Sequence, residues 1–228
     1  MNSTSELYPN KKLGDLVIGI IGGTGAQGTG LGYRLAQAGF KVILGSRDSS
    51  KAVSAAEEIG LNVSGASNVE CAQGADVIII AVPWESHFDT VSTLASDLEN
   101  KVVIDCVNPL GFDAGGAYPL DVEEGSACLQ AQSILVNSFV VTAFNHVSAV
   151  VLADRAIEKV DIDILVVGDN KPSTDLVQNI IDQIPGMRGI YAGKARNAGQ
   201  VEALTANLIS ANRRYKTHTG IRITGINA

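Results

Sequence analysis

Gly23, Gly25 and Gly28 follow the apolar run 16–21 in a G-x-G-x-x-G spacing, and residues 31–38 after them carry apolar side chains at helical intervals. A strand that breaks into such a loop and then a helix is suited to hold a pyrophosphate. Gly23 is expected to allow the tight turn, Gly25 to let the backbone approach the phosphates, and Gly28 to let helix and strand pack closely. The phosphates are then left on free N–H groups of the helix. About twenty residues on, the second apolar run 42–44 ends in Gly45-Ser46-Arg47-Asp48, where an Asp or Glu normally accepts hydrogen bonds from an unmodified ribose. A hydroxyl and a guanidinium at that place bind a 2′-phosphate through charge-assisted hydrogen bonds, so NADP is favoured over NAD. Lys51, one turn further, adds a point charge to the same pocket or sits in water. Asp48 would weaken the preference if its carboxylate, rather than Arg47, faced the ribose.

The remaining reactive side chains are sparse. His87 and His146 each read as a hydrogen-bonded structural residue rather than an acid–base catalyst, and with His218 they are the chain's three histidines. Cys71, Cys106 and Cys128 are odd in number and widely spaced, without a C-x-x-C pair, so neither a disulfide framework nor a metal site is expected. Cys106 lies in an apolar run and reads as packing. Trp84, just after Pro83 at a strand end, either stacks on a ring or plugs the core beneath its loop, and its place favours the pocket. No residue is assigned a catalytic acid or base role.

The elements that must position these residues alternate. A helix is expected over 50–59, and strands over 76–83, 102–107, 138–143 and 162–167, several ending in polar or Pro/Gly loops. The fold class is α/β: a Rossmann-like, doubly wound, mostly parallel sheet with a small C-terminal α-rich domain. The expected division is a flexible tail over 1–15, a dinucleotide-binding domain over 16–170 and the small domain over 171–228. Ligands bind outside the carboxyl ends of such sheets, so the loops 82–87, 108–112 (opening with Asn108) and 145–149 should line one pocket.

At 228 residues and 46% hydrophobic content the chain can bury a substantial core. No run reaches the roughly 18 apolar residues of a spanning helix, and the polar start lacks a signal-peptide centre, so no membrane partner is expected. Cysteine usage fits a reducing cytoplasm. Between 194 and 222, Lys194, Arg196, Arg213, Arg214, Lys216 and Arg222 face only Glu202, a local charge of +5 in a chain of net charge −7. This is either a solvated helix face or the seat of a polyanionic ligand. Nucleic acid is disfavoured, since the patch is small and Tyr215 is its one aromatic.

From Leu16 onward the chain resembles the NADPH-dependent reductases of the deazaflavin coenzyme F420. The resemblance rests on Gly22-Gly23-Thr24-Gly25-Ala26-Gln27-Gly28, Gly45-Ser46-Arg47 with Lys51, Val82-Pro83-Trp84-Glu85, Ala143-Phe144-Asn145 and the terminal stretch 197–214 containing Val201-Glu202-Ala203-Leu204-Thr205. It implies reversible hydride transfer between NADP(H) and coenzyme F420. It also implies that Thr24, Gly25, Ala26 and Gln27 meet the phosphates, and that Ser46, Arg47 and Lys51 hold the 2′-phosphate. Val82, Pro83 and Trp84, with His87, would run beside the cofactor; Asn145 and Ala149 would lie toward the nicotinamide, and Leu204 on the deazaflavin side. Where some members of the family have His-Thr-Ile-Pro, this chain has Asn145-His146-Val147-Ser148, so no catalytic role passes to His146. Hydride transfer between two rings needs stacking, orientation and exclusion of water, so the absence of a triad is no objection.

The C-terminal segment would then cover the deazaflavin, whose phosphate and glutamyl tail would suit the basic stretch. The resemblance implies a homodimer; the stripe Val201, Leu204, Leu208 and Ile209 serves either a subunit contact or the core. A short-chain dehydrogenase is ruled against because its Tyr-x-x-x-Lys pair is matched only by Tyr8 and Lys12, before the cofactor strand. An imine reductase relative would carry a longer helical second domain. An NADP-binding redox sensor would share the fingerprint but transfer no hydride.

Overall fold

The computed structural model describes residues 3–226, except the side chains of Ser3 and Ser5. Its helices are α1 (Ser3–Leu7), α2 (Ala26–Gln37), α3 (Ser49–Ile59), α4 (Asn68–Gly74), α5 (His87–Leu94), α6 (Ala127–Ile134), α7 (Ala149–Ala153), α8 (Lys171–Ile181) and α9 (Ala198–Tyr215). The strands are β1 (Val17–Ile21), β2 (Lys41–Ser46), β3 (Val63–Ser67), β4 (Val77–Ile80), β5 (Val102–Asp105), β6 (Leu110–Asp113), β7 (Gly116–Pro119), β8 (Phe139–Thr142), β9 (Ile162–Val167) and β10 (Met187–Gly193).

Among the described residues, eight strands form one sheet in the order β10-β9-β8-β5-β4-β1-β2-β3, and β6 pairs β7 as a separate hairpin. All neighbours in the large sheet are parallel except β8 and β9. The chain steps from β1 outward through β2 and β3, then returns to the other side of β1 with β4. The carboxyl ends of β1 and β4 therefore flank the switch point where such sheets open a ligand crevice. Alternate side chains feed two cores: Ile18, Ile20, Ile79 and Ile104 pack with α2 on one face, and Ile21, Ile78, Ile80 and Val103 with α5 and α6 on the other.

Because β9 runs against β8, its carboxyl end at Gly168-Asp169-Asn170 points to the opposite edge from the crevice. Two expectations are corrected. Residues 3–15 of the supposed tail are anchored: Tyr8 Oη donates to the Asp76 carbonyl at 2.7 Å, Lys11 pairs with Asp76 at 2.7 Å, and Leu7 and Leu13 pack on the core. Residues 1–2 lie outside the described residues. The 171–228 stretch is not a separate unit, since β10 continues the main sheet beside β9 and α8 packs on it; only α9 and the segment after it form the cover. Strand β3 and the β6–β7 hairpin escaped the sequence reading because neither carries an apolar run. In β3, Gly65 lies against the Ala52 and Val53 backbone, where a Cβ would stand 2.2 Å away, so close approach rather than side-chain burial defines it.

Candidate functional site

The crevice, of about 400 Å³, lies where the switch point predicts it. Val82, Pro83 and Trp84 after β4, Cys106, Val107 and Asn108 after β5, and residues 145–149 after β8 form three walls. Gln27 of α2 closes one end, and Thr205, Leu208, Ile209 and Asn212 of α9 form the fourth wall. Residues 109–112 turn away into the β6 hairpin.

Phe144 makes the sharp turn after β8. It is fully buried with φ 64°, a left-handed backbone that costs a bulky residue energy, and Gln27 Nε2 donates to its carbonyl at 3.1 Å. The next carbonyl, of Asn145, accepts from Asn108 Nδ2 at 2.7 Å and from Thr205 Oγ1 at 3.0 Å, joining three walls at one atom. Asn108 Oδ1 and Asn145 Oδ1 are buried without a hydrogen-bond partner, which suits a site that completes its bonding with a polar ligand. His146 accepts from Leu165 N–H through Nε2 at 3.2 Å, so its proton sits on Nδ1. Burial pushes its pKa down to about 4, leaving a neutral ring with no acid to offer near neutrality.

Behind this wall, α7 begins at Ala149 and ends on Arg34. The 1%-exposed Arg34 guanidinium donates to the carbonyls of Val151, Leu152, Asp154 and Ile157 at 2.6–2.9 Å, satisfying the helix end and fixing where its first residue stands.

At the phosphate end, α2 opens on Gly25 without a side-chain cap, and its first intrahelical bond is Thr29 N–H to Gly25. The N–H groups of Ala26, Gln27 and Gly28 thus have no carbonyl of their own helix to bond. The tight turn belongs to Gly22 rather than Gly23: Gly22 has φ 79°, and a Cβ there would meet the Ala81 carbonyl at 2.6 Å. A Cβ on Gly28 would meet the Gly22 and Gly23 backbone at 2.7 Å, the close packing expected of it. Around Gly25 the nearest atom to such a Cβ is 3.5 Å away, so its surface is open to a ligand.

Ser46 and Arg47 line a neighbouring cavity of about 400 Å³ with Ser67, Asn68 and Glu85. Arg47 makes no ion pair among the described residues. Asp48 does not face it: its carboxylate caps α3, accepting from Ser50 Oγ at 2.6 Å and Ser50 N–H at 3.1 Å, and these bonds hold it below the usual carboxylate range. Lys51 stands apart, lining a separate hollow with Thr24, Ser50 and Glu58.

Two further expected site residues fall elsewhere. His87 is fully buried beneath Trp84, whose ring lies 5.5 Å away, with Nε2 2.7 Å from Asp105 Oδ2 and Nδ1 2.9 Å from Gln130 Oε1. Burial opposes its charge, but the Asp105 and Gln130 acceptors outweigh it and raise the pKa. Leu204 does not line the crevice; the face that does carries Thr205, Leu208, Ile209 and Asn212, spaced at 3, 4 and 7. That spacing was the available signal. Glu202, also missed, is buried on α9 and accepts from the Ala127 and Cys128 N–H groups at the start of α6.

The basic stretch thins out in three dimensions. Arg222 pairs with Asp161 and Asp163, and Lys194 donates to the Asp169 carbonyl. Of the four cations left, Arg196 and Lys216 are exposed, and Arg213 and Arg214 line a cavity of about 390 Å³ between α9 and the hairpin turn at Gly115-Gly116; Ile209 borders both this cavity and the crevice. Among the described residues no His, Cys, Asp and Glu cluster could hold a metal ion, and no helix is long and apolar enough to cross a membrane.

A family profile described as NADP oxidoreductase coenzyme F420-dependent matches residues 17–109. An F420-dependent NADP reductase of Methanothermobacter marburgensis is 38% identical over 221 residues, 92% of this chain and 98% of that protein. One of Methanocaldococcus jannaschii is 37% identical over 224 residues, again 92% and 98%. The solved structure of a candidate F420-dependent NADP reductase from Arthrobacter sp. FB24 superimposes with TM-score 0.80 at 23% identity, covering 92% of this chain and 99% of its own, and speaks for the fold.

Proposed function

The chain belongs to the F420-dependent NADP reductase family, and from that membership we propose how its residues divide the two cofactors of reversible hydride transfer between NADP(H) and F420. The single observation that carries this reading is the four-walled crevice at the switch point, with a phosphate-ready helix start at one end and a cationic cavity beyond the other.

When bound, the two cofactors themselves supply the hydride-donating and hydride-accepting carbons. The protein's part is to bind, orient and dry them. The N–H groups of Ala26, Gln27 and Gly28, with Thr24 and Gly25 beside them, receive the pyrophosphate, and Arg47 with Ser46 receives the 2′-phosphate, with Lys51 a more distant charge. Val82, Pro83 and Trp84 face residues 145–149 across the nicotinamide. Gln27 and Asn108 brace that wall through the Phe144 and Asn145 carbonyls. Thr205, Leu208 and Ile209 of α9 supply a largely apolar side for the second ring, which favours stacking and keeps water out. Arg213 and Arg214 receive the anionic tail. His87 serves from behind, supporting Trp84 rather than touching a ligand.

The protein is further proposed to act in the cytoplasm as a homodimer, its cofactors being its small-molecule partners. Three buried free thiols, each with its pKa raised by burial, suit a reducing compartment. Mixing the protein with NADPH and oxidised F420 should bleach the deazaflavin's visible absorbance, and NADP with reduced F420 should restore it. Binding of NADPH without bleaching would leave only the sensor. Sedimentation at micromolar concentration tests the dimer.

A further inference from the structure

Helix α9 contributes a whole wall of the crevice, yet it packs chiefly on α6 and the strand β7, outside the main sheet. Its buried polar anchor lies where it meets α6. Three observations meet there. Glu202 is 3% exposed, and its two carboxylate oxygens accept from Ala127 N–H at 2.9 Å and Cys128 N–H at 3.2 Å. Ser126 Oγ accepts from Leu129 N–H at 3.0 Å, so the unpaired N–H groups that open α6 are shared between its own cap and a side chain of α9. Gly199, one turn earlier on α9, lies so close to α6 that a Cβ would stand 2.7 Å from the Gly125 carbonyl.

We propose that Glu202 is a positioning residue for the second substrate: by seating α9 on the start of α6 it sets the width of the crevice between α9 and the Asn145 wall. Thr205 follows Glu202 by three residues and therefore sits one helical turn on, where it bonds the Asn145 carbonyl; Leu208, Ile209 and Asn212 continue the same face. The nicotinamide and phosphate walls, by contrast, belong to the main sheet and α2, which do not depend on this seat. The inference rests on the assignment of α9 to the deazaflavin side of the crevice.

Glu202→Ala leaves two helix N–H groups bare. It should raise KM for F420 by about tenfold while leaving KM for NADPH within about twofold. Glu202→Gln, which keeps an acceptor for one N–H, should recover most of the loss. Gly199→Ala, which pushes α9 from the same seat without touching Glu202, should reproduce the split in KM and remains informative if the Glu202→Ala protein does not fold. Hydrogen exchange in α9 should accelerate relative to α2 in Glu202→Ala and Gly199→Ala and stay near the wild-type rate in Glu202→Gln, and this reading needs no deazaflavin. Unchanged α9 exchange, or KM values rising equally for both substrates, overturns the proposal. Failure of the wild-type protein to bleach F420 would instead sink the assignment of the crevice, and the exchange data would still report on the seat.

Discussion

Arg47 and Asp48 are neighbours with opposite charges, and the selectivity of the site turns on which of them meets the ribose. The Asp48 carboxylate is committed to the first N–H groups of α3, so only the guanidinium is left facing the pocket beside Ser46. Removing it with Arg47→Ala should raise KM for NADPH by one to two powers of ten, since a hydrogen bond to a charged group contributes about 1.5–3 kcal/mol. KM for NADH should hardly move, because it lacks the 2′-phosphate that Arg47 is proposed to receive. Parallel titrations of initial rate against both nicotinamides check this, and equal losses would mean that Arg47 only shapes the loop. Asp48→Ala should lower Tm through loss of the cap and leave the ratio of NADPH to NADH use unchanged. Ser46, Arg47 and Asp48 were legible in the sequence as types at a strand end. Which of them turned inward was not, because a capping bond competes with a ligand for the same carboxylate and only the path of α3 decides between them. The turn glycine was hidden for a similar reason: Gly22, not Gly23, carries the positive φ, and the Ala81 carbonyl, 59 positions away in sequence, leaves no room for a Cβ there.

Single helices translate these residues into walls, and each wall rests on a charged group away from the ligand. Arg34 holds the end of α7 and Glu202 seats α9, while His87 and Asp105 stand under Trp84 and the β5 loop. Burial pushes Glu202 up to about 7 and the acceptors around His87 raise its pKa, so both groups bind their protons more tightly when folded than unfolded. For groups raised in this way, stability is fully present below the unfolded values and is lost as pH rises through the folded ones. Tm should therefore fall as pH rises from about 4.5 through about 7, and the slope should flatten in Glu202→Gln. A Tm that rises over this range contradicts the arrangement. Asp163 behaves oppositely. Arg188, with Ile223 N–H and Arg222 beside it, holds its carboxyl far below the usual range, so the stability it contributes is present above about pH 4 and lost on acidification. Because Arg222 and Ile223 belong to the segment after α9, that segment should become protease-sensitive in acid, and Asp163→Asn should make it so at neutral pH. Of these supports only His87 was legible, as a hydrogen-bonded structural residue; its partners, and the roles of Arg34 and Glu202, were not, since a buried Arg or Glu has no local pattern and its partners lie on other elements. The helix face of α9 was half legible: the spacing announced a stripe, but its rotation toward Thr205 rather than Leu204 depends on the seat at α6.

At the scale of the molecule, the alternating order of strands and helices was enough to place the crevice, because a doubly wound sheet has one switch point and the loops there are the ones that follow β1, β4, β5 and β8. Charge was less faithful to its linear distribution. The sequence concentrates cations between 194 and 222, yet folding spends Arg222 on Asp161 and Asp163 and directs Lys194 to a backbone carbonyl. Beside the crevice this leaves a cationic hollow at Arg213 and Arg214, joined to it at Ile209, in a chain whose net charge is −7. An anionic deazaflavin tail leaving the crevice past Ile209 meets these two guanidiniums first. Both are exposed, so each contributes modestly and is screened by salt. Replacing both with Ala should raise KM for F420 about three- to tenfold at low ionic strength and remove most of its salt dependence, with KM for NADPH unaltered. A deazaflavin lacking phosphate and glutamates should be handled equally by both proteins, because the ring still meets Thr205, Leu208 and Ile209. If that tailless substrate also loses affinity, the arginines are holding α9 rather than the tail; if F420 loses none, the hollow has no part in binding it.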